Sequence, residues 1–189
     1  MIYQRSIKNE VSTVGVGLHS GEKVRIVLKP AKANSGIIFK RIDIKVPIEI
    51  KIEPKAVKET RLSSTIGKGK FKISTVEHLM SALSASGIDN ILIEVGGSEI
   101  PIMDGSSIAF VYLINSAVVY EQSEFKKFAV IKDVIKVEEG EKFAKFEPYN
   151  GFLVDFTIDF PHPAFKKENN HVEIDFFKDS YVNNISRAR

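Results

Sequence analysis

Hydrophobic and polar residues alternate along much of the first seventy residues of the chain. Two runs show the alternation most clearly: Val24, Ile26 and Leu28, and Ile48, Ile50 and Ile52. In the second run, Glu49 and Lys51 fall on the side opposite the isoleucines. Because side chains of a strand point alternately to its two faces, this period of two predicts half-buried strands.

A tight turn is predicted at Gly67-Lys68-Gly69, which separates the strand-like segments 63–66 and 71–73. Glycine adopts the positive φ angles that short hairpin connections need. The two segments are therefore predicted to pair as a hairpin.

Two helices are predicted in the middle of the chain. In STVEHLMSALSAS (74–86), apolar residues recur at the i, i+3, i+4, i+7 spacing of an amphipathic helix, which Gly87 ends. A buried strand over 91–95 and a proline-containing loop follow. The second helix, 107–119, is apolar nearly all round, which predicts packing on two sides.

The polar stretch EQSEFKK (121–127) marks the predicted boundary between two domains, residues 1–122 and 127–189. Beyond it, turn signals separate three strand-like runs, which predict an antiparallel meander: 128–137, 142–146 and 152–160. A further strand over 171–176 and a helix that begins at Lys178 complete the prediction.

The composition narrows the possible chemistry. The chain has 189 residues and no cysteine, so thiol nucleophiles, disulfide frameworks and cysteine-based metal sites are excluded. A zinc site would have to use histidine, aspartate or glutamate. The start MIYQRSIKNE lacks the apolar core of a signal peptide, and no run approaches the ~18 apolar residues of a membrane span. We therefore expect a cytoplasmic protein.

Positive charge is concentrated in residues 40–72, which carry ten basic and four acidic side chains in a chain of net charge +3. Such a surface can attract a phosphate group or an anionic membrane. However, five of its lysines alternate with apolar or glycine residues, as on the solvated face of strands: Lys51, Lys55, Lys68, Lys70 and Lys72. We expect at most peripheral membrane contact. No aromatic-interleaved basic motif is present, so a nucleic acid is not an expected partner.

Glu77-His78 is the most chemically suggestive dipeptide. A neutral imidazole is a good zinc ligand, and an adjacent carboxylate can take a proton from a metal-bound water. On a helical wheel at ~100° per residue, His78 lies about 200° from Val76, away from the apolar stripe and beside small residues. This position suits a cleft better than a core.

Glu77 also has a structural alternative. The segment STVE (74–77) fits a capping box, in which Ser74 caps the helix and Glu77 bonds back to the Ser74 backbone N–H. The sequence leaves both roles, cap and general base, open. None of the other histidines supplies the spacing of an HExxH or HxxEH motif, so spacing alone makes zinc a minority hypothesis: His19, His162 and His171.

Eight stretches match one protein family in that family's order, from one end of the chain to the other. They are VGVGLHSG (14–21), RLSST (61–65), STVEHLMSAL (74–83), GIDNILIEV (87–95), EIPIMDGSS (99–107), PYNG (148–151), DFTIDFPHP (155–163) and ISRAR (185–189). Together they closely resemble the UDP-3-O-acyl-N-acetylglucosamine deacetylases, the zinc hydrolases of lipid A biosynthesis.

The resemblance implies an α+β fold of two similar two-layer domains, each a sheet on helices, with the active site between them. It also implies that a zinc-bound water attacks the acetamide of a UDP-linked acylated N-acetylglucosamine and releases acetate. His78 matches the family's first zinc ligand, and Glu77 matches its general base. Asp104, in Met103-Asp104-Gly105, is interpreted as a turn and helix-start residue rather than a catalytic group.

Five further positions match residues that the family uses around its substrate. Leu62 and its loop match a segment that lines the site, and His19 matches a cleft residue. Lys142, Asp159 and Phe160 match positions near the nucleotide, where a cation can meet phosphate and an aromatic ring can pack on uracil. A core position for Phe160 and a solvated turn position for Lys142 stay open as alternatives.

Family members continue well beyond ISRAR, and the continuation carries the other two zinc ligands, a carbonyl-polarising threonine and a proposed acid. We therefore expect this chain to be an N-terminal portion with one complete domain and an incomplete second one. The remaining zinc ligands are expected from the missing C-terminal part. On its own the chain is expected to bind zinc weakly and to be nearly inactive.

Two further expectations follow from an incomplete second domain. Residues 128–189 should leave apolar surface that favours self-association. A hypothesis from a different class is a non-catalytic nucleotide-sugar binding or dimerisation module that kept the fold and lost the metal site. Replacing Glu77 in a protein that restores the missing part distinguishes this hypothesis from an enzyme.

Overall fold

The computed structural model describes residues 1–159 and 170–188, which divide into two units. Met1–Lys126 and the segment that begins at Ile185 form the first unit, and Lys127–Asn184 forms the second. In the first unit, the Ser107 hydroxyl donates a hydrogen bond to the Ser186 carbonyl at 3.1 Å. The segment from Ile185 therefore lies with the first unit, whereas the sequence assigns it to the second domain.

Strands dominate both units. Those of the first unit are β1 (Tyr3–Ile7), β2 (Val11–Val16), β3 (Lys23–Pro30), β4 (Ile37–Arg41), β5 (Ile48–Lys51), β6 (Val57–Glu59), β7 (Thr65–Lys68), β8 (Phe71–Ile73), β9 (Ile91–Val95) and β10 (Val119–Phe125). Its helices are α1 (Glu77–Ala85) and α2 (Ile108–Ser116), with a 3₁₀ turn at Pro54–Ala56. The second unit contains β11 (Ile135–Glu139), β12 (Lys142–Phe146), β13 (Leu153–Thr157), β14 (His171–Asp175) and α3 (Tyr181–Asn184). The fold class is α+β.

The largest sheet has the strand order β2-β3-β9-β4-β5. Its neighbours are antiparallel except for β4 and β9, which run parallel. The alternation predicted from the sequence is confirmed in β5, where Ile50 is buried while Glu49 and Lys51 are exposed. It is confirmed in β3 by three buried side chains: Val24, Ile26 and Leu28.

The predicted hairpin is confirmed as β7 and β8, which pair antiparallel beside β6. The turn is shorter than predicted, because Lys68 already pairs with Phe71. Gly69, with φ +60°, is the first residue of the connection between the two strands. Gly67 lies inside β7, where a Cβ atom would come within 2.8 Å of the Phe71 carbonyl oxygen. Position 67 therefore requires glycine because the backbone of the neighbouring strand approaches it closely, and not because of the geometry of the turn.

The boundary between the two units, Lys126/Lys127, falls at the end of the polar stretch that follows α2. Most of that stretch belongs to β10, which pairs antiparallel with β1. Its Gln122 donates to the Ala31 carbonyl at 2.9 Å and accepts a bond from the buried Asn90 side chain at 2.7 Å. The polar side chains of this stretch are needed for a network of amide hydrogen bonds that joins the β1–β10 pair to the rest of the unit. The spacing of apolar and polar residues in the sequence cannot predict such a network.

Helices α1 and α2 pack against each other. α1 buries Leu79, Ala82 and Leu83, and it ends as predicted at Gly87, which has φ +69°. The N–H of Ile88 donates to the Leu83 carbonyl at 3.0 Å, as in a Schellman motif.

Helix α2 packs against both α1 and β2, as the prediction of packing on two sides requires, and its remaining side faces solvent. Its buried residues are Ile108, Phe110, Val111 and Ile114. Tyr112 is 59% exposed and Asn115 is also exposed. Within residues 1–159 and 170–188, no helix combines the length and hydropathy that a membrane crossing needs.

The five alternating lysines of the basic segment are all exposed, as predicted for a solvated face. The positive charges of two of them are partly neutralised by ion pairs, since Lys55 lies 3.2 Å from Glu53 and Lys72 lies 3.6 Å from Glu59. Exposed pairs of this kind contribute little to stability.

In the second unit, β11 pairs with β12, and β13 pairs with β14, all antiparallel. The predicted three-stranded meander is therefore wrong, because the partner of β13 is β14 rather than β12. The strand predicted over 171–176 is confirmed as β14. The helix predicted from Lys178 is confined, among the described residues, to the single turn of α3.

Candidate functional site

Helix α1 begins at Glu77, three residues later than its sequence pattern predicts. The Ser74 N–H donates to the Ser98 carbonyl at 2.9 Å, and Ser74 forms a parallel bridge with Glu99. Val76 occupies the N-cap position without a side-chain capping bond. The capping-box interpretation is wrong, because the Ser74 amide that Glu77 would accept is already bonded to Ser98.

The Glu77 carboxylate instead reaches the loop between β6 and β7. Its Oε2 atom accepts the Ser64 N–H at 3.0 Å, and the Val76 N–H donates to the Ser64 carbonyl at 3.3 Å. Glu77 is half-buried and lies in the first turn of α1, where the helix dipole stabilises a negative charge. Two backbone groups of Ser64 thus tie this loop to the start of the helix.

The same loop presents Leu62 to solvent. Leu62 is 85% exposed and has φ +63°, a left-handed conformation that costs a non-glycine residue roughly 1–2 kcal/mol. Thr75, two residues before Glu77, is buried and has φ +57°. Strained backbone of this kind persists only where its surroundings hold it, and it is frequent at functional sites.

His78 is half-buried on α1. Ala82, one turn further along the helix, is fully buried, whereas Ala85 is exposed. The sequence predicts a side of α1 with small residues. On that side Ala82 is shielded from solvent, whereas Ala85, near the end of the helix, faces solvent.

A second carboxylate lies beneath the loop that follows β2. Glu99 is 1% exposed, and it accepts the His19 N–H at 3.1 Å, the Ser20 N–H at 2.8 Å and the Thr75 hydroxyl at 2.9 Å. His19 itself is exposed in the turn. Glu99 thus bonds at once to the His19 loop and to the segment that leads into Glu77 and His78.

Burial alone would raise the pKa of Glu99. The hydrogen bonds from the His19 amide, from the hydroxyl and amide of Ser20 and from the Thr75 hydroxyl outweigh it and lower the pKa of Glu99 from 4.5 to about 2. The carboxylate is therefore ionised at neutral pH. Sequence reasoning assigns Glu99 no role, although the residue opens the matched stretch EIPIMDGSS (99–107).

Asp104 has the turn role that the sequence predicts. Its Oδ1 atom accepts the Ser106 N–H at 3.1 Å and the Ser106 hydroxyl at 2.9 Å. Met103 with φ +56° and Gly105 with φ +85° complete the turn before α2. These contacts belong to an Asx turn rather than to a reaction centre.

The remaining predicted residues lie in the second unit. Lys142 begins β12 and Asp159 follows β13, and both are exposed. Phe160 lies outside the described residues. The structure therefore brings together Glu77, His78 and the Leu62 loop, and it links His19 to them through Glu99.

A zinc site needs more donors than this region supplies. Among residues 1–159 and 170–188, no group of three or more histidine, aspartate and glutamate side chains is placed to hold a metal ion. A catalytic zinc normally has three protein ligands. The described residues do not by themselves fit a zinc ion, and His78 could supply one ligand only.

Comparisons with known proteins agree over the whole chain. The family model described as UDP-3-O-acyl N-acetylglycosamine deacetylase matches residues 4–189. A UDP-3-O-acyl-N-acetylglucosamine deacetylase of Thioalkalivibrio sulfidiphilus (strain HL-EbGR7) is 50% identical over 189 residues, which are 100% of this chain and 62% of that relative. A protein of the same name from Methylococcus capsulatus (strain ATCC 33009 / NCIMB 11132 / Bath) is 51% identical with the same coverage. The chain spans 62% of the length of these curated relatives, and it belongs to the UDP-3-O-acyl N-acetylglycosamine deacetylase family.

Proposed function

We propose that this chain is part of a deacetylase that removes acetate from UDP-3-O-acyl-N-acetylglucosamine in lipid A biosynthesis. The observation that carries the proposal is the match of the family model to residues 4–189, supported by two relatives of about 50% identity that bear this name. The substrate is then a UDP-linked acylated N-acetylglucosamine, and the reaction is hydrolysis of its acetamide.

Glu77 is the proposed general base, which takes a proton from the water that attacks the acetamide carbonyl. Its Oε2 atom is oriented by the Ser64 N–H at 3.0 Å. The alternative role as a helix cap is removed by the bonds of Ser74 to Ser98. A half-buried carboxylate held by a loop at a helix start supports the assignment as a base.

His78 is the proposed zinc ligand of this chain. The other ligands are proposed to come from the part of the relatives that this chain does not span.

The substrate contacts are proposed from the remaining matched positions. Leu62 lies in the loop that is bonded to Glu77, and its 85% exposure leaves it free to contact a ligand. His19 is exposed on the loop bonded to Glu99. Lys142, Asp159 and Phe160 are proposed to lie near the nucleotide, and the exposure of the first two suits this role.

We also propose a two-domain α+β architecture of sheets layered on helices, in which residues 1–122 form the complete domain and the second is incomplete. The paired hairpins of the second unit support this, because each has an apolar face. On β11 and β12 that face consists of Ile135, Val137, Ala144 and Phe146, all of them exposed. Self-association through such faces is part of the proposal.

The test uses two proteins: the 189-residue chain, and a chimera in which this chain replaces the matching part of the Methylococcus capsulatus relative. We expect the chimera to hold one zinc and to release acetate from UDP-3-O-acyl-N-acetylglucosamine. The 189-residue chain should be at least roughly 100-fold slower, because the other zinc ligands are proposed to lie in the part of the relatives that it does not span. Zinc by elemental analysis and acetate by an enzymatic assay give both results.

Two outcomes would contradict the proposal in different ways. One tightly bound zinc in the 189-residue chain, with acetate release at the rate of the chimera, would refute the division of ligands. A folded chimera that binds the nucleotide sugar but releases no acetate would instead support a non-catalytic binding module.

A further inference from the structure

We propose that Glu99 is a positioning residue, which fixes the loop that carries His19 and the segment that leads into Glu77 and His78 relative to each other. The inference rests on the proposed deacetylase function for its catalytic consequence. Its structural part stands on contacts within the first unit alone.

The His19 loop is built around the Glu99 carboxylate. The Gly17 N–H donates to the Glu22 carbonyl at 2.9 Å, and the Gly21 N–H donates to the Gly17 carbonyl at 3.0 Å, so the loop closes on itself. A Cβ atom on Gly17 would lie 2.4 Å from Glu99 Oε2. The carboxylate therefore occupies the space that a side chain at position 17 would need, and it accepts the two N–H groups at the tip of the loop.

The other side of the link is the segment before α1. The buried Thr75 hydroxyl donates to Glu99 Oε1 at 2.9 Å, and the neighbouring Ser74 is bridged to Glu99 through the backbone. Thr75 is held at φ +57°, a conformation that its β-branched side chain disfavours. The bond to Glu99 therefore holds in place a residue that would otherwise relax.

A displacement of Thr75 would also move Glu77, the proposed base, which lies only two residues further along the chain. The Val76 N–H and the Glu77 carboxylate both bond to Ser64, so the start of α1 and the Leu62 loop move together. Glu99 is 1% exposed and acts through these neighbours rather than on a substrate. In catalysis, a displacement of about 1 Å of a positioned group costs on the order of 100-fold in rate.

Replacing Glu99 by Gln tests the link while nearly preserving its shape. Glutamine presents an amide NH₂ where one carboxylate oxygen was, and this donor would face donors from His19, Ser20 or Thr75. In the 189-residue chain, amide hydrogen exchange measured by NMR should become at least roughly 10-fold faster at His19 and Ser20, since bonds to a charged acceptor are lost. Exchange at Ser64 should also accelerate, because the disturbance passes through Thr75 to Glu77.

Two control variants separate positioning from a general loss of stability. Thr75→Val removes only the hydroxyl bond, so it should accelerate exchange at Ser64 while His19 and Ser20 stay within about twofold. Asp175→Asn alters another buried, hydrogen-bonded carboxylate in the second unit and should change none of the three amides. Unchanged exchange at His19 and Ser64 in Glu99→Gln would overturn the proposal.

The catalytic consequence is measured in the chimera. Glu99→Gln should lower kcat at least roughly 10-fold and also raise KM, because it displaces both the proposed base and the His19 loop, while zinc content stays within about twofold. Thr75→Val leaves the His19 loop in place, so it should lower kcat with KM within about twofold. Unchanged kcat together with accelerated exchange would reduce Glu99 to a structural anchor and overturn its positioning role. If the unsubstituted chimera releases no acetate, the proposed function fails, and the exchange pattern alone decides whether Glu99 links the two segments.

Discussion

Glu99 makes the stability of the chain depend on pH. Its pKa is about 2 in the folded chain against 4.5 ordinarily, so its contribution is fully present above pH 4.5 and is lost as pH falls towards 2. Because 1 pKa unit corresponds to ~1.4 kcal/mol, this contribution is on the order of 3 kcal/mol. We expect the free energy of unfolding, from urea denaturation, to fall across this range by that much more in the native chain than in Glu99→Gln. Parallel pH curves for the two proteins would contradict the assignment.

Single residues also show what the sequence can reveal of the site. The placement of His78 away from the apolar stripe follows from helix geometry, and its half-buried position agrees with it. The capping box fails because Ser74 bonds to Ser98, 24 residues away, and no local pattern contains that pairing. The role of Glu99 cannot be predicted from the sequence for the same reason, since its hydrogen-bond partners His19 and Thr75 are 80 and 24 residues away along the chain.

At the scale of elements, periodicity predicts what is local and misses what pairs at a distance. Strand β3, the β7–β8 hairpin and the end of α1 at Gly87 follow from alternation, glycine positions and helical spacing. The choice of β14 as the partner of β13 does not, because the two strands are far apart in the sequence and no local pattern specifies their pairing. The polar strand β10 is missed because its burial rests on amide hydrogen bonds, such as that between Gln122 and Asn90.

The ends of the two helices give a test of backbone conformation. Val118 follows α2 with φ +61°, a conformation that a β-branched residue adopts at a cost, whereas Gly87 follows α1 with φ +69°. We expect Val118→Asn to raise the free energy of unfolding by about 1 kcal/mol, because asparagine tolerates this C′ position. The reverse change at the matched position, Gly87→Ala, should lower it by a similar amount, about 1 kcal/mol. Urea denaturation checks both, and destabilisation by Val118→Asn would refute the argument.

At the scale of the whole molecule, the second unit leaves much apolar surface in solvent. Among its described residues, Ile174 is the one buried hydrophobic side chain. The apolar face of β13 and β14 contains Val154, Phe156 and Val172 beside Ile174, while their polar residues lie on the other face. Hairpins with one uncovered apolar face are marginal by themselves and tend to associate.

We therefore expect the 189-residue chain to self-associate in a concentration-dependent way in sedimentation velocity. Phe146→Thr removes a 64% exposed aromatic residue from the apolar face of β11 and β12, so it should reduce the associated fraction. Tyr112→Thr removes a similarly exposed aromatic residue, 59%, from the first unit and should have no effect. A monomeric chain, or an equal effect of both variants, would show that the hairpin face does not mediate association.

Acetate release by the chimera carrying Glu77→Gln is the decisive measurement for the proposed deacetylase site. General-base catalysis typically contributes 10²- to 10⁴-fold, so kcat should fall by at least about 100-fold. Zinc content and thermal stability should stay as in the unsubstituted chimera, because the glutamine side chain retains an oxygen for the Ser64 N–H. Turnover within a few-fold of the unsubstituted chimera would contradict the role of Glu77 as the base.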